Sequence, residues 1–170
     1  VMNLAKKHQF KFVIFSPEHS LAINLKRLIE KYVKKPFDIF FENRLSRQEM
    51  LDALKFIQEH FFFIDKKSES PDISWILEKA QICINEFSID SLIIDPFNEI
   101  NPTRQSFSET EHISVLISDI KRFNRENNTF TFMIAHPNKQ IRDTQSGMFE
   151  VKSLYEISGS SHFNNKADVG

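Results

Sequence analysis

Three carboxylates and one imidazole stand where chemistry could be done. Glu18, Asp65, Asp95 and His136 each follow directly on a short apolar run: KFVIFS at 11–16, FFFI at 61–64, SLII at 91–94 and TFTFMIA at 129–135. Carboxylates can hold a hard cation or take up a proton, and an imidazole can donate a hydrogen bond to a phosphate oxygen or relay a proton. Taken singly, an acid at the end of an apolar run is more often a cap or a solvated turn residue. The repetition after four runs is what calls for a common explanation.

The elements that would position these residues follow from hydrophobic spacing. The four apolar runs read as short buried strands. Between them lie amphipathic helices: Ser20–Lys34 with Leu21, Leu25, Leu28 and Ile29 inward; a helix behind the Ser46/Glu49 capping box with Met50, Leu51, Leu54 and Ile57; Asp72–Phe87 with Ile73, Ile76, Leu77, Ala80 and Ile84; and one behind the Ser108/Glu111 box with Ile113, Leu116, Ile117, Ile120 and Phe123. Phe37–Phe41 and Leu154–Ile157 read as further short strands, and 138–153 as a polar loop. Apolar strands alternating with helices predict a single α/β domain with a parallel sheet. In such sheets ligands bind outside the carboxyl ends of the strands, so Glu18, Asp65, Asp95 and His136 should share one edge.

Composition narrows the classes. The chain has 170 residues, 41% hydrophobic and 26% charged, with net charge −1. That is the profile of a water-soluble globular domain with no global basic field for nucleic acid. No apolar run nears the roughly 20 residues of a membrane helix. The lone cysteine, Cys83, sits in a helical apolar pattern and reads as a packing residue. Only three glycines occur, at 147, 159 and 170, so residues 1–146 supply none for a phosphate-cradling glycine loop.

The run SLIID has the form of a Walker B segment, whose aspartate holds Mg²⁺ largely through water. With it, in order, come FSPEHS, DPFNE, AHPNK and ISGSSHFNNKAD. This series resembles the motifs of the RecA-like ATPase domain of hexameric replicative DNA helicases of the DnaB and Twinkle type, and most of all the primase-helicases of phages and bacteria. The resemblance runs from residue 12 to 170.

It implies a RecA-like P-loop ATPase sheet, ATP with Mg²⁺ as cofactors, and translocation on single-stranded DNA by a ring, expected to be a hexamer. Glu18 matches the glutamate that polarises the attacking water. Asp95 matches the metal-holding aspartate, and His136 the residue that senses the γ-phosphate; together these three make the nucleotide-binding set. The channel-lining segments carry over to Lys139, Asn165 and Lys166, with Ser160, Ser161 and His162 beside them, as contacts to single-stranded DNA. Asp65, Asn98 and Glu99 receive no role. The implied compartment is the cytoplasm of a bacterium or phage-infected cell.

The sequence also departs from the family's pattern. The residues before the first strand, VMNLAKKHQFK, contain no GK[ST] loop, and the family's arginine finger lies past the final ADVG. The expectation is a segment of a longer helicase or a truncated reading frame, inactive alone, whose strand 129–135 is left as an open sheet edge. The competing readings are a recombinase- or clock-type RecA-like ATPase and a non-catalytic interaction domain without a P-loop.

Overall fold

A computed structural model describes residues 1–66, 71–102, 108–136, 154, 157 and 162–170. The described elements are α1 (Met2–His8), β1 (Phe12–Phe15), α2 (Leu21–Val33), α3 (Arg47–His60), β2 (Phe61–Ile64), α4 (Ile73–Phe87), β3 (Ser91–Ile94), a short 3-10 turn at Phe97–Glu99, α5 (Glu109–Asn127), β4 (Phe130–Met133) and α6 (His162–Lys166).

The four strands form one sheet in the order β2-β1-β3-β4, and every pairing is parallel. The register is unbroken: Phe15 stands opposite both Ile64 and Ile94, and Ile94 opposite Met133. All four strands therefore end at the same level. Because side chains alternate across a strand, the sheet feeds two cores. Val13, Phe15, Leu92 and Ile94 pack with Ile73, Ile76 and Ala80 of α4, Leu116 and Ile120 of α5, and Phe163 of α6. Phe12, Ile14, Phe61 and Ile93 pack with Ala5 of α1, Leu28 and Ile29 of α2, and Ala53 and Ile57 of α3. The result is a three-layer sandwich, the expected architecture.

The helix starts follow their capping chemistry. Ser46 and Ser108 accept from the Glu49 and Glu111 amides, and each glutamate reaches back to its cap residue's amide. Asp72 accepts from the Trp75 amide at 2.8 Å. The α5 stripe is buried in full. Two expected inward residues face solvent instead: Leu21 and Leu51 are 52% and 46% exposed. Leu21 is the first residue of α2, and Leu51 shares the outward face of α3 with the exposed Lys55 and Gln58. Cys83 is half-buried against the first core, and burial, with Glu86 nearby, pushes its thiol up from the usual range.

Phe37–Phe41 is not a strand. Its backbone is spent locally: the Phe37 amide donates to Glu30 Oε1, the Phe41 amide to the Asp38 carbonyl and the Leu45 amide to the Pro36 carbonyl. Lys26 clamps Asp38 at 2.8 Å, which raises the lysine's pKa through that hydrogen bond. With no neighbouring strand available, turns satisfy these groups and leave Phe40 90% exposed. The interior of the expected strand Leu154–Ile157 and the loop 138–153 lie outside the described residues. At its ends, the Ile157 amide donates to the Leu154 carbonyl, a turn-type bond. Residues 162–166, to which the sequence pattern assigns no element, form α6.

Among the described residues β4 pairs only with β3, and Phe132 on it is 38% exposed. No described helix is long and apolar enough to cross a membrane.

Candidate functional site

The common level of the strand ends dictates what meets there. Glu18 lies in the turn between β1 and the Ser20 cap of α2, Asp95 directly after β3, and His136 just beyond β4. Strand order places β3 between β1 and β4. Glu18 and His136 nevertheless meet across it: Glu18 Oε1 lies 3.3 Å from His136 Nε2. Both side chains are well exposed, 36% and 58%. An exposed contact of this kind is worth at most about 1 kcal/mol, so an entering ligand can displace it. The imidazole need not be charged, since a neutral ring protonated on Nε2 also donates to a carboxylate.

Asn98, to which the sequence assigns no role, holds His136 in place. Its Oδ1 accepts the His136 main-chain amide at 3.2 Å. The adjacent Phe97 amide donates to the Ile134 carbonyl at 2.9 Å, and the Ile134 amide donates to the Ile94 carbonyl at the same distance. The turn after Asp95 is thus stitched to the end of β4, and the two polar motifs act as one unit. An asparagine beside an acid-ended strand is the signal that could have marked it.

Asp95 is half-buried, and among the described residues no hydrogen bond or ion pair engages its carboxylate. A carboxylate is an oxygen donor of the kind Mg²⁺ takes. Among the described residues no group of three His, Cys, Asp or Glu side chains could hold a metal alone.

A pocket of about 320 Å³ opens beside Glu18, lined by Ser16, Asn24, Asp65 and Lys66 among others. Asp65 is an exposed rim residue. A larger open groove, about 940 Å³, carries Lys121, Arg125 and Lys166, but its wall includes Thr129 and Phe130, at the opposite end of β4 from His136.

The nucleic-acid candidates divide. Lys139, Ser160 and Ser161 lie outside the described residues. His162, Asn165 and Lys166 sit on α6, with Asn165 exposed. The Lys166 ammonium is already committed: it donates to the Ser114 carbonyl, Ser114 Oγ and Ser118 Oγ at 2.8–2.9 Å. Lys121 adds a second fastening, to the Lys166 carbonyl and Asp168. Beneath them Phe163 meets Phe97 edge-on at 4.9 Å. The aromatic residue in each of the two motifs therefore joins α6 to the turn that follows Asp95.

Comparison with known proteins bears on the fold. No family model matches the chain. At 35% identity over 99% of its length, the chain aligns with the Twinkle homolog protein, chloroplastic/mitochondrial, of Arabidopsis thaliana, of which it spans 24%. Its fold matches a solved ATPase domain with a TM-score of 0.78 at 19% identity, covering 98% of this chain and 60% of that one. It also matches a DnaB-like replicative helicase, solved in a study of its interactions with primase, with a TM-score of 0.74 at 20% identity, covering 95% and 40%. By sequence and by fold, the chain resembles the RecA-like ATPase domain of DnaB- and Twinkle-type helicases.

Proposed function

From a chain with the RecA-like fold of DnaB-like helicase ATPase domains, we propose that it forms the catalytic core of an ATP-dependent replicative DNA helicase. The observation that carries this reading is the meeting of Glu18 and His136 over the end of the strand that presents Asp95.

Each residue then has a physical task. Glu18 orients the attacking water and accepts its proton, a role that needs an exposed, displaceable carboxylate. Asp95 would hold Mg²⁺, and the ion would supply charge neutralisation on the phosphates. His136 donates to the γ-phosphate and, through the Asn98 link, passes its presence or loss to the loop after Asp95. Lys139, Asn165, Lys166, Ser160, Ser161 and His162 form the set facing single-stranded DNA, with contacts mainly to the backbone. Lys166 reaches a phosphate only by exchanging its acceptors on Ser114 and Ser118. Assembly into a hexameric ring would bring several such sets together around one strand. The bacterial or phage-infected cytoplasm is the compartment this reading implies.

The competing reading is a RecA-like domain that binds partners without hydrolysing nucleotide. Nucleotide hydrolysis measured on the full natural protein containing this chain separates the two. DNA-stimulated turnover abolished by Asp95→Asn supports the helicase core, and absence of turnover in the wild type supports the second.

A further inference from the structure

Ser16 Oγ, one residue past β1, is sealed from solvent and has no hydrogen-bond partner, the one such side-chain atom among the described residues. Buried hydroxyls are almost always paired, and an orphan near a functional site points to a partner that arrives in another state. Water cannot reach an atom without accessible surface. A neighbouring side chain that turns would supply that partner.

Register identifies the neighbours. Phe15 pairs with Ile64 on one side and Ile94 on the other, and the Asp95 amide continues the ladder onto the Phe15 carbonyl at 2.9 Å. One step on, Ser16 stands between Asp65 and Asp95. Phe15 and Ile94 share the core beneath α4 and α5; carried one residue beyond the strand ends, alternation would turn Ser16 and Asp95 together toward the opposite face. Asp65 is exposed to solvent, whereas Asp95 is half-buried with a carboxylate that nothing described engages.

We propose that Ser16 is a positioning residue for Asp95. Once nucleotide is bound, the Ser16 hydroxyl donates to one Asp95 carboxylate oxygen, and the other would be left to hold the metal ion. The inference rests on the reading of Asp95 given above. A hydroxyl held in a rigid strand end costs no reorganisation when the ion arrives, which is the value of a prearranged dipole. Loss of such an outer partner weakens metal binding about 10- to 100-fold in other sites.

The test compares wild type, Ser16→Ala, Ser16→Thr, Asp95→Asn and the Ser16→Ala/Asp95→Asn pair in the full natural protein. Mn²⁺ affinity is read by electron paramagnetic resonance with a non-hydrolysable ATP analogue present, alongside kcat, KM and the ligand-free melting temperature. Ser16→Ala should melt no lower than wild type, bind Mn²⁺ at least about tenfold more weakly, and lose kcat with KM little changed. Ser16→Thr should restore Mn²⁺ binding, and Ser16→Ala should add nothing once Asp95 is Asn. Wild-type Mn²⁺ affinity in Ser16→Ala, with Asp95→Asn defective, overturns the role of Ser16 and leaves the helicase reading standing. A lowered melting temperature with unchanged Mn²⁺ affinity also overturns it. If Asp95→Asn itself binds Mn²⁺ and turns over normally, the reading of Asp95 fails and takes this inference with it.

Discussion

Glu18 Oε1 lies 3.3 Å from His136 Nε2, a contact between residues 118 positions apart in the chain. The acid that would activate water and the imidazole that would sense phosphate are in contact. Glu18→Gln in the full natural protein should retain nucleotide binding but lose hydrolysis about 10²- to 10⁴-fold, the usual contribution of a general base. Near-normal turnover in a steady-state phosphate-release assay would remove Glu18 from the mechanism. Asp95→Asn should lose metal affinity as well.

Asn98 should matter through a main-chain bond. Asn98→Ala frees the His136 amide, and a neutral hydrogen bond is worth about 1 kcal/mol net, so turnover should fall several-fold. Asn98→Asp keeps an acceptor at the same place and should recover most of it. Equal loss in both variants would mean that the amide bond is not what counts.

Lys166 has two possible tasks and one measurement divides them. As a phosphate contact, its replacement by Ala should reduce the slope of log K against log salt for single-stranded DNA by about 0.7. As the fastener of α6, the same change should lower the melting temperature with the slope unchanged. We expect the slope to change. An unchanged slope assigns Lys166 to holding α6 on Ser114 and Ser118.

Stability should fall in two steps as pH drops. Burial holds the His112 imidazole below its ordinary value of 6.5. The unfolded chain therefore takes up that proton first, and stability declines as pH falls below about 6.5. Glu49 is held at about 2, against an ordinary 4.5, by the Lys35 ammonium and then by the Ser46 amide and hydroxyl. Its contribution is complete above about 4.5 and disappears as pH falls toward 2. Urea midpoints at pH 7.5, 5.5 and 3 should show both steps, and His112→Gln should flatten the upper one alone.

The 170-residue chain alone should bind Mg-ATP weakly, because phosphate affinity in such sites comes mainly from glycine-loop amides and a lysine, and the chain has no such loop. Calorimetry showing micromolar affinity would contradict this. The half-exposed β4, with Phe132 38% exposed and the following Ile134 40% exposed, should recruit another strand. Light scattering should then report self-association rather than a clean monomer.

Much of the molecule was legible because it is governed by local rules. The two Ser–x–x–Glu boxes start α3 and α5 as read. The Asp72 cap and its apolar stripe give α4 to the residue, and FFFI and SLII give β2 and β3. Phe37–Phe41 misled because its aromatic content suits a strand while its hydrogen bonds are taken by Glu30 and by turns. β-propensity reflects fit to a half-buried sheet surface, and no sheet reaches that segment. Asn98 and Ser16 were illegible for a related reason. Each works through a residue that is near only after folding, His136 in one case and Asp95 in the other.

Periodicity, capping chemistry and the acids at the strand ends were enough to establish a parallel α/β sheet and to put Glu18, Asp95 and His136 on one edge of it, because those properties depend on residues a few positions apart. Only the tertiary structure decided the strand order β2-β1-β3-β4. It alone closed Glu18 onto His136, tied Lys166 to Ser114 and Ser118, and left Ser16 Oγ buried without a partner. Those outcomes depend on which strand lies beside which and on the shared level at which they end, and crossovers of tens of residues set both through packing rather than local preference.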